Sequence, residues 1–278
     1  MSDASLTVAL VHEVFHGADG VERLNDLLGR CRAAGAELVL LPELPLDPWI
    51  PASETPRPED AERPGGPRHQ TLSSAAKRSG LFVMGGAITL DDESGDRFNR
   101  ALLFDPAGEQ VAAYDKLHVP CEEGFWEAKH YRPGASAATP VEVAGFSVGL
   151  QICSDLNRPA GSQLLGAAGA EAIVAPRATP ESSYERWRLV IRANAVTCAT
   201  YVLSVNRPRS EGGASIGGPS LAVGPDGTVL LESTEPVSTV VLRREAVAQA
   251  RRDYPGYLEI RAELYGLAWS ELARRTKE

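Results

Sequence analysis

Basic charge is scarce in this chain. Its 278 residues carry 28 Lys and Arg against 37 Asp and Glu, a formal net charge of −9. A nucleic-acid binder needs a basic face to neutralise phosphate, and no such face is visible here. The densest basic groups, Arg243-Arg244 and Arg251-Arg252, sit among Glu and Asp. Long apolar runs are missing too, and none approaches the roughly 20 residues that a membrane helix needs. Cysteine is sparse: Cys31, Cys121, Cys153 and Cys198 lie far apart, with no C-x-x-C pair. That excludes a disulfide framework and makes a reducing cytoplasm the expected compartment. Met1 to Ser5 are polar and acidic and read as neither a signal nor a transit peptide. Aromatics are few at 6%, yet hydrophobics at 43% and charged residues at 23% give an ordinary globular balance, which excludes a disordered chain.

What is present alternates between short apolar runs and amphipathic stretches. Leu6 to Val11 reads as a buried strand. Gly20 to Ala34 follows with Val21, Leu24, Leu27, Leu28 and Cys31 at helical spacing. Leu38 to Leu41 is the next strand, stopped by Pro42. Residues 51–69 have no apolar period and read as a surface loop. A helix over Gln70 to Arg78, a strand over Leu81 to Ile88, and a hairpin of Ala101 to Phe104 with Val111 to Tyr114 come next. Residues 115–140 read as irregular and aromatic. The second half alternates in the same way, with strands over Phe146 to Ile152, Ala172 to Ala175 and Tyr201 to Val205, and helices over Ser162 to Gly169 and Ser182 to Thr197. A second hairpin joins Leu221 to Val223 with Val229 to Leu231, and the last 35 residues look helical, broken at Pro255-Gly256. No internal repeat and no linker stand out. The reading is a single α/β domain over 1–278 with a mixed sheet, and 243–278 as a C-terminal packing or dimerisation arm.

Two motifs are decoys on this reading. His12-Glu13-Val14-Phe15-His16 spells H-E-x-x-H, which on a helix brings two imidazoles together for zinc. Here it follows a strand and precedes Gly17, and on an extended segment the two rings lie too far apart to share a metal. Gly212 to Gly218 is glycine-rich without spelling a phosphate-binding fingerprint, and reads as a mobile loop before a strand.

Three strand ends carry more. Cys153-Ser154-Asp155 ends the strand from Phe146, where open α/β sheets place ligand sites. A thiol there faces a pocket, and the following helix N-terminus favours its thiolate. A lone Cys is otherwise a small buried hydrophobe, the reading given to Cys31 and Cys198. No His-plus-Asn arrangement stands out as its base, which leaves a carboxylate. Glu43 directly follows Leu38-Val-Leu-Leu-Pro42, and burial there raises a carboxyl toward the range of a general base. Lys116 follows Val111 to Tyr114, where a cation stabilises an oxyanion. Singly, each residue reads as solvated surface; their convergence is the argument.

In these segments the chain resembles the nitrilase superfamily of carbon–nitrogen hydrolases, which carries Glu, Lys and Cys in this order at strand ends. Leu-Leu-Pro-Glu43, Tyr-Asp-Lys116-Leu-His118-Val-Pro and Gly-Leu-Gln-Ile-Cys153-Ser-Asp155 match its signatures. Glu127, ahead of Tyr131-Arg-Pro133-Gly134, matches its fourth acid. The match runs from about Leu6 to Leu267. The resemblance implies a four-layer α-β-β-α sandwich, often dimerised. It implies Cys153 as nucleophile, Glu43 as base, Lys116 and the Ser154 backbone N–H at the oxyanion, and Glu127 beside Lys116, with no metal or cofactor. Two departures touch the pocket wall: Asp115 stands where the family has Arg, and Asn157-Arg158-Pro159-Ala160 replaces an aromatic and a Glu.

The stretch Cys121 to Glu127 looks most like the N-carbamoyl amide hydrolases, which puts Trp126 among the expected substrate contacts. Arg158 and Arg177 are the expected readers of a substrate carboxylate. The expected reaction is hydrolysis of a small primary amide or N-carbamoyl compound. Two rival readings stay open: a zinc peptidase through His12 and His16, and a silent binding protein on the same fold. Lys116 and Glu43, as strand-end residues, are expected to matter for turnover and little for melting temperature. A homodimer or higher assembly is expected from the apolar arm.

Overall fold

The computed structural model describes residues 4–275. The expectation about Met1 to Ser5 falls partly outside them, and the end of the arm, 276–278, wholly so. The first half runs β1 (Ser5–Leu10), α1 (Gly20–Ala33), β2 (Leu38–Leu40), α2 (Pro67–Ser79), β3 (Phe82–Leu90), β4 (Arg97–Phe104) and β5 (Gln110–Asp115). A single helical turn, α3 (Glu127–His130), lies in the segment read as irregular. The second half runs β6 (Val141–Val143), β7 (Phe146–Leu150), α4 (Pro159–Ala167), β8 (Ala172–Arg177), α5 (Tyr184–Cys198), β9 (Tyr201–Asn206), β10 (Ser220–Val223) and β11 (Val229–Ser233). The chain then forms β12 (Ser238–Arg243), α6 (Arg244–Arg252) and α7 (Ala262–Arg275).

The strands make two six-stranded sheets, ordered β12-β1-β2-β3-β4-β5 and β11-β10-β9-β8-β7-β6. Each has a parallel centre, β1-β2-β3 or β7-β8-β9, with antiparallel strands outside it. Alternation along β1 shows how the layers stack. Leu6, Val8 and Leu10 join a core with Val148, Leu150, Val174 and Leu203 of the other sheet. Ala9 and Val11 face the opposite way, onto Leu24 and Leu28 of α1 and Leu72 of α2. Helices α4 and α5 cover the second sheet through Leu165, Trp187 and Ile191. This is the α-β-β-α sandwich.

The two sheets share one topology. Read from an edge, β12-β1-β2-β3-β4-β5 and β6-β7-β8-β9-β10-β11 have the same sequence of parallel and antiparallel pairings. The repeat lies in the path of the chain, not in its letters, which is why the sequence shows none. A third apolar cluster, with Leu44, Trp49, Phe125, Tyr131 and Ala178, packs the loops beyond the strand ends. That cluster surrounds the candidate site.

Candidate active site

Lys116 emerges from β5 fully buried, which a cation tolerates when it is paired. Its Nζ donates to Glu43 Oε1 at 2.8 Å and to Glu127 Oε2. Asn99 Nδ2 on β4 donates to the same Glu43 oxygen at 2.8 Å. Tyr131 OH donates to Glu127. The other Glu43 oxygen, Oε2, is buried and has no hydrogen-bond partner among the described residues. An ionised carboxylate can accept at both oxygens, so one face of Glu43 is free for a proton from elsewhere.

The backbone around Glu43 is clamped from far along the chain. Arg207, fully buried, donates to the carbonyls of Glu43 and Leu44 at 2.8 Å each and of Asp47 at 2.9 Å. It pairs with Glu211 at 2.8 Å. Leu44 sits at φ +49°, a left-handed conformation that is strained for a leucine and is held by this clamp.

Cys153 lies just past β7, also left-handed at φ +46°. Its Sγ lies 4.0 Å from the Ala178 carbonyl. Burial pushes the thiol well above its ordinary value; Glu43 adds to this and Lys116 opposes it. Burial also works against the Lys116 cation, but Glu127 and Glu43 outweigh it and hold the ammonium above the usual lysine range. Burial lifts Glu127 above the usual carboxylate range, against the pull of Lys116. The arrangement has one cation between two carboxylates next to a protonated thiol. It can move the thiol proton to a carboxylate and receive negative charge near Lys116.

Asp155 ties the two loops together. Its carboxylate accepts from Ile152 N at 3.1 Å, Leu117 N at 3.2 Å, His118 N at 3.0 Å and Tyr114 OH at 2.9 Å. It also meets His118 Nδ1 at 2.8 Å. Gly134 closes the packing behind Lys116: its N–H donates to the Lys116 carbonyl at 2.8 Å, and a Cβ there would lie 2.6 Å from the Asp115 carbonyl. Asp115, where the resemblance leads one to expect Arg, forms a fork with Arg100 at 2.7 and 2.8 Å.

A cavity of about 620 Å³ reaches the thiol, lined by Glu127, Cys153 and Ser154 with Asn157, Arg186 and Trp187. The substrate contacts expected from sequence are not among its lining residues. Trp126 is half-buried and donates its backbone N–H to Pro51 at 2.9 Å. Arg158 is exposed at the start of α4. Arg177 is fully buried, donating to Ser204 Oγ at 3.1 Å, Thr179 Oγ1 at 2.5 Å and the Pro219 carbonyl. The cation in the lining is Arg186, in the first turn of α5, exposed and with no hydrogen bond or ion pair among the described residues. Its neighbours on that helix are engaged: Arg188 with Glu232 at 3.1 Å, Arg192 with the Gly227 carbonyl at 2.9 Å. The sequence signal for Arg186 was its place one turn into the helix that follows the β8 loop.

The H-E-x-x-H segment is not helical. His12 is buried with Nδ1 3.0 Å from Ser220 Oγ, and His16 Nε2 lies 3.5 Å from Glu211. The two rings have separate partners, and among the described residues no group of three His, Cys, Asp or Glu could hold a metal ion. No helix of the described residues is long and apolar enough to cross a membrane.

Known proteins are similar to this chain in sequence and in fold. The chain is 29% identical over 259 residues to the omega-amidase NIT2 of Homo sapiens, covering 90% of this chain and 92% of that protein. The omega-amidase NIT2 of Mus musculus is 30% identical over 259 residues, covering 89% and 91%. Among solved structures, a carbon-nitrogen hydrolase from Helicobacter pylori superimposes with a TM-score of 0.86 at 21% identity, covering 95% of this chain and 98% of that one. An amidase from Nesterenkonia sp. in complex with acrylamide gives a TM-score of 0.76 at 22% identity, covering 95% and 97%. The family model for carbon-nitrogen hydrolases matches residues 11–252. The chain belongs to the carbon-nitrogen hydrolase family, with omega-amidases among its relatives.

Proposed function

We propose that this enzyme hydrolyses the C–N bond of a small primary amide, with N-carbamoyl compounds as the second class, through a thioester on Cys153. The observation that carries the proposal is Lys116, buried between Glu43 and Glu127, with Glu127 and the Cys153 thiol lining one cavity. Glu43 Oε2, which lacks a partner, takes the thiol proton as sulfur attacks the carbonyl carbon. Lys116 and the Ser154 backbone N–H receive the developing oxyanion. The C–N bond breaks, Glu43 returns the proton to the leaving ammonia, and a thioester remains. Water, deprotonated by Glu43, then cleaves the thioester and frees the acid and the thiol. The name of the relatives, omega-amidases, favours amides as the first substrates to try. An anionic far end would meet Arg186 at the rim. The free thiols fit a cytoplasmic setting.

The test is ammonia release from a panel of amides, N-carbamoyl compounds and nitriles, with and without a distal carboxylate. Wild type should turn over at least one amide, and Cys153→Ala should turn over none while keeping its fold. Arg186→Ala should lose carboxylate-bearing substrates selectively. A Cys153→Ala variant near the wild-type rate would sink the thioester route.

A further inference from the structure

Arg177 is a buried cation with no counter-charge. Its guanidinium is fully shielded from solvent, and its three acceptors are two hydroxyls and a carbonyl, all neutral. No Asp or Glu among the described residues pairs with it. Taking an ion out of water costs several kcal/mol unless something offsets it, and the usual offset is a carboxylate. The strain shows in the group itself: burial draws this guanidinium down to about 10. It shows also in His12, whose imidazole is held down to about 4 by burial and then by Arg177.

The surroundings show where the charge acts. Arg177 precedes Ala178, whose carbonyl faces the Cys153 sulfur, and it donates to Thr179, which lines the same cavity. Its guanidinium lies 6.0 Å from the ring centres of Tyr184 and Trp187, and Trp187 is among the residues lining the cavity. Of the ionisable groups around it, Cys153 acts most on Arg177, followed by Tyr184. Glu43, Glu127 and Lys116 also act on this thiol, and together they carry one net negative charge when all are ionised. Once Glu43 has taken the thiol proton, Glu127 and Lys116 cancel, and the negative charge forming at sulfur or oxygen is left without a net counter-charge in this cluster. Arg177 supplies a fixed cation for it.

We propose that Arg177 is a positioning residue for the Cys153 chemistry, an unpaired guanidinium that holds a positive potential at the sulfur and so favours negative charge there. The inference rests on Cys153 being the nucleophile. It acts through space, since Arg177 does not line the cavity.

The test compares alkylation of Cys153 by iodoacetate and by iodoacetamide, read by mass mapping of the Cys153 peptide so that exposed Cys121 does not interfere. Each reagent gives its CH2 carbon to sulfur and releases iodide. They differ in charge, so the ratio of their rates reports the potential at the sulfur and cancels the fraction of thiolate. Arg177→Gln and Arg177→Met, two neutral replacements checked for folding by circular dichroism, should lower the iodoacetate/iodoacetamide ratio at least about threefold. Arg177→Lys should stay close to wild type. An unchanged ratio in a folded neutral variant overturns the inference, as does a Lys variant that falls as far as Gln, since shape rather than charge would then be at work. A wild-type Cys153 that reacts with neither reagent overturns the nucleophile itself, and with it this role.

Discussion

Lys116 makes catalysis and stability inseparable at the residue scale. Strand-end placement led to the expectation that its loss spares the melting temperature, but Lys116 is fully buried and holds two carboxylates at 1% exposure each. Lys116→Met strands both acids in a dry site. It should abolish turnover and also cost about 3–5 kcal/mol in urea unfolding at neutral pH. Unchanged unfolding would mean the cluster is not ionised. His12 gives a pH signature. Its imidazole, ordinarily at 6.5, is held down to about 4, first by burial. Below 6.5 the unfolded chain takes a proton that the native state refuses, so the stability from neutral His12 is complete above 6.5 and drains away as pH falls to about 4. His12→Gln should show a shallower fall of melting temperature across that window; parallel curves would remove His12 from the account. Glu43, Lys116 and Cys153 were legible because each lies one to three residues past the end of a strand. Arg207 was not: its partner Glu43 lies 164 residues away, and nothing local marks the pairing.

At the scale of elements, the site exists because loops after β5 and β7 meet on one carboxylate. Asp155 accepts backbone donors from both, Leu117 and His118 on one side and Ile152 on the other. An amide there keeps one acceptor oxygen and brings two donors to face N–H groups. Asp155→Asn should therefore cost about 2–4 kcal/mol and lower kcat. Retention of wild-type kcat would show that the Lys116 and Cys153 loops hold their places without this tie. Most strands and helices were readable from period and punctuation, to within a few residues. The helix read from Gln70 begins earlier, at Pro67, where the fixed φ of proline suits a first turn. β12 escaped notice because it is an edge strand. Val240 and Leu242 point inward while exposed Val241 blurs the alternation. Its place beside β1 is a pairing between the two ends of the chain, which no local pattern carries.

At the scale of the whole molecule, the C-terminal arm is an unfinished surface. No residue of α7 is buried, and Leu264, Tyr265, Leu267, Trp269 and Leu272 are each at least half exposed. Tyr254, Tyr257, Leu258 and Ile260, just before it in the chain, are each more than half exposed as well. An isolated helix of this length is marginal in water, because its hydrogen bonds barely offset the entropy of ordering it. So large an apolar surface is also a liability on a monomer. The two arguments converge on a helix that its own domain leaves unburied. We infer that a second copy buries it, so that the chain assembles as a homodimer or higher oligomer through this arm. Light scattering at micromolar concentration should then give at least twice the 29.7 kDa of one chain. Leu264→Asp with Trp269→Asp should shift the mass toward a monomer and lower the helical signal, because the arm unfolds once its contact is lost. A wild-type mass of one chain would refute the assembly. A helical signal untouched by the double substitution would show that α7 holds itself without a partner.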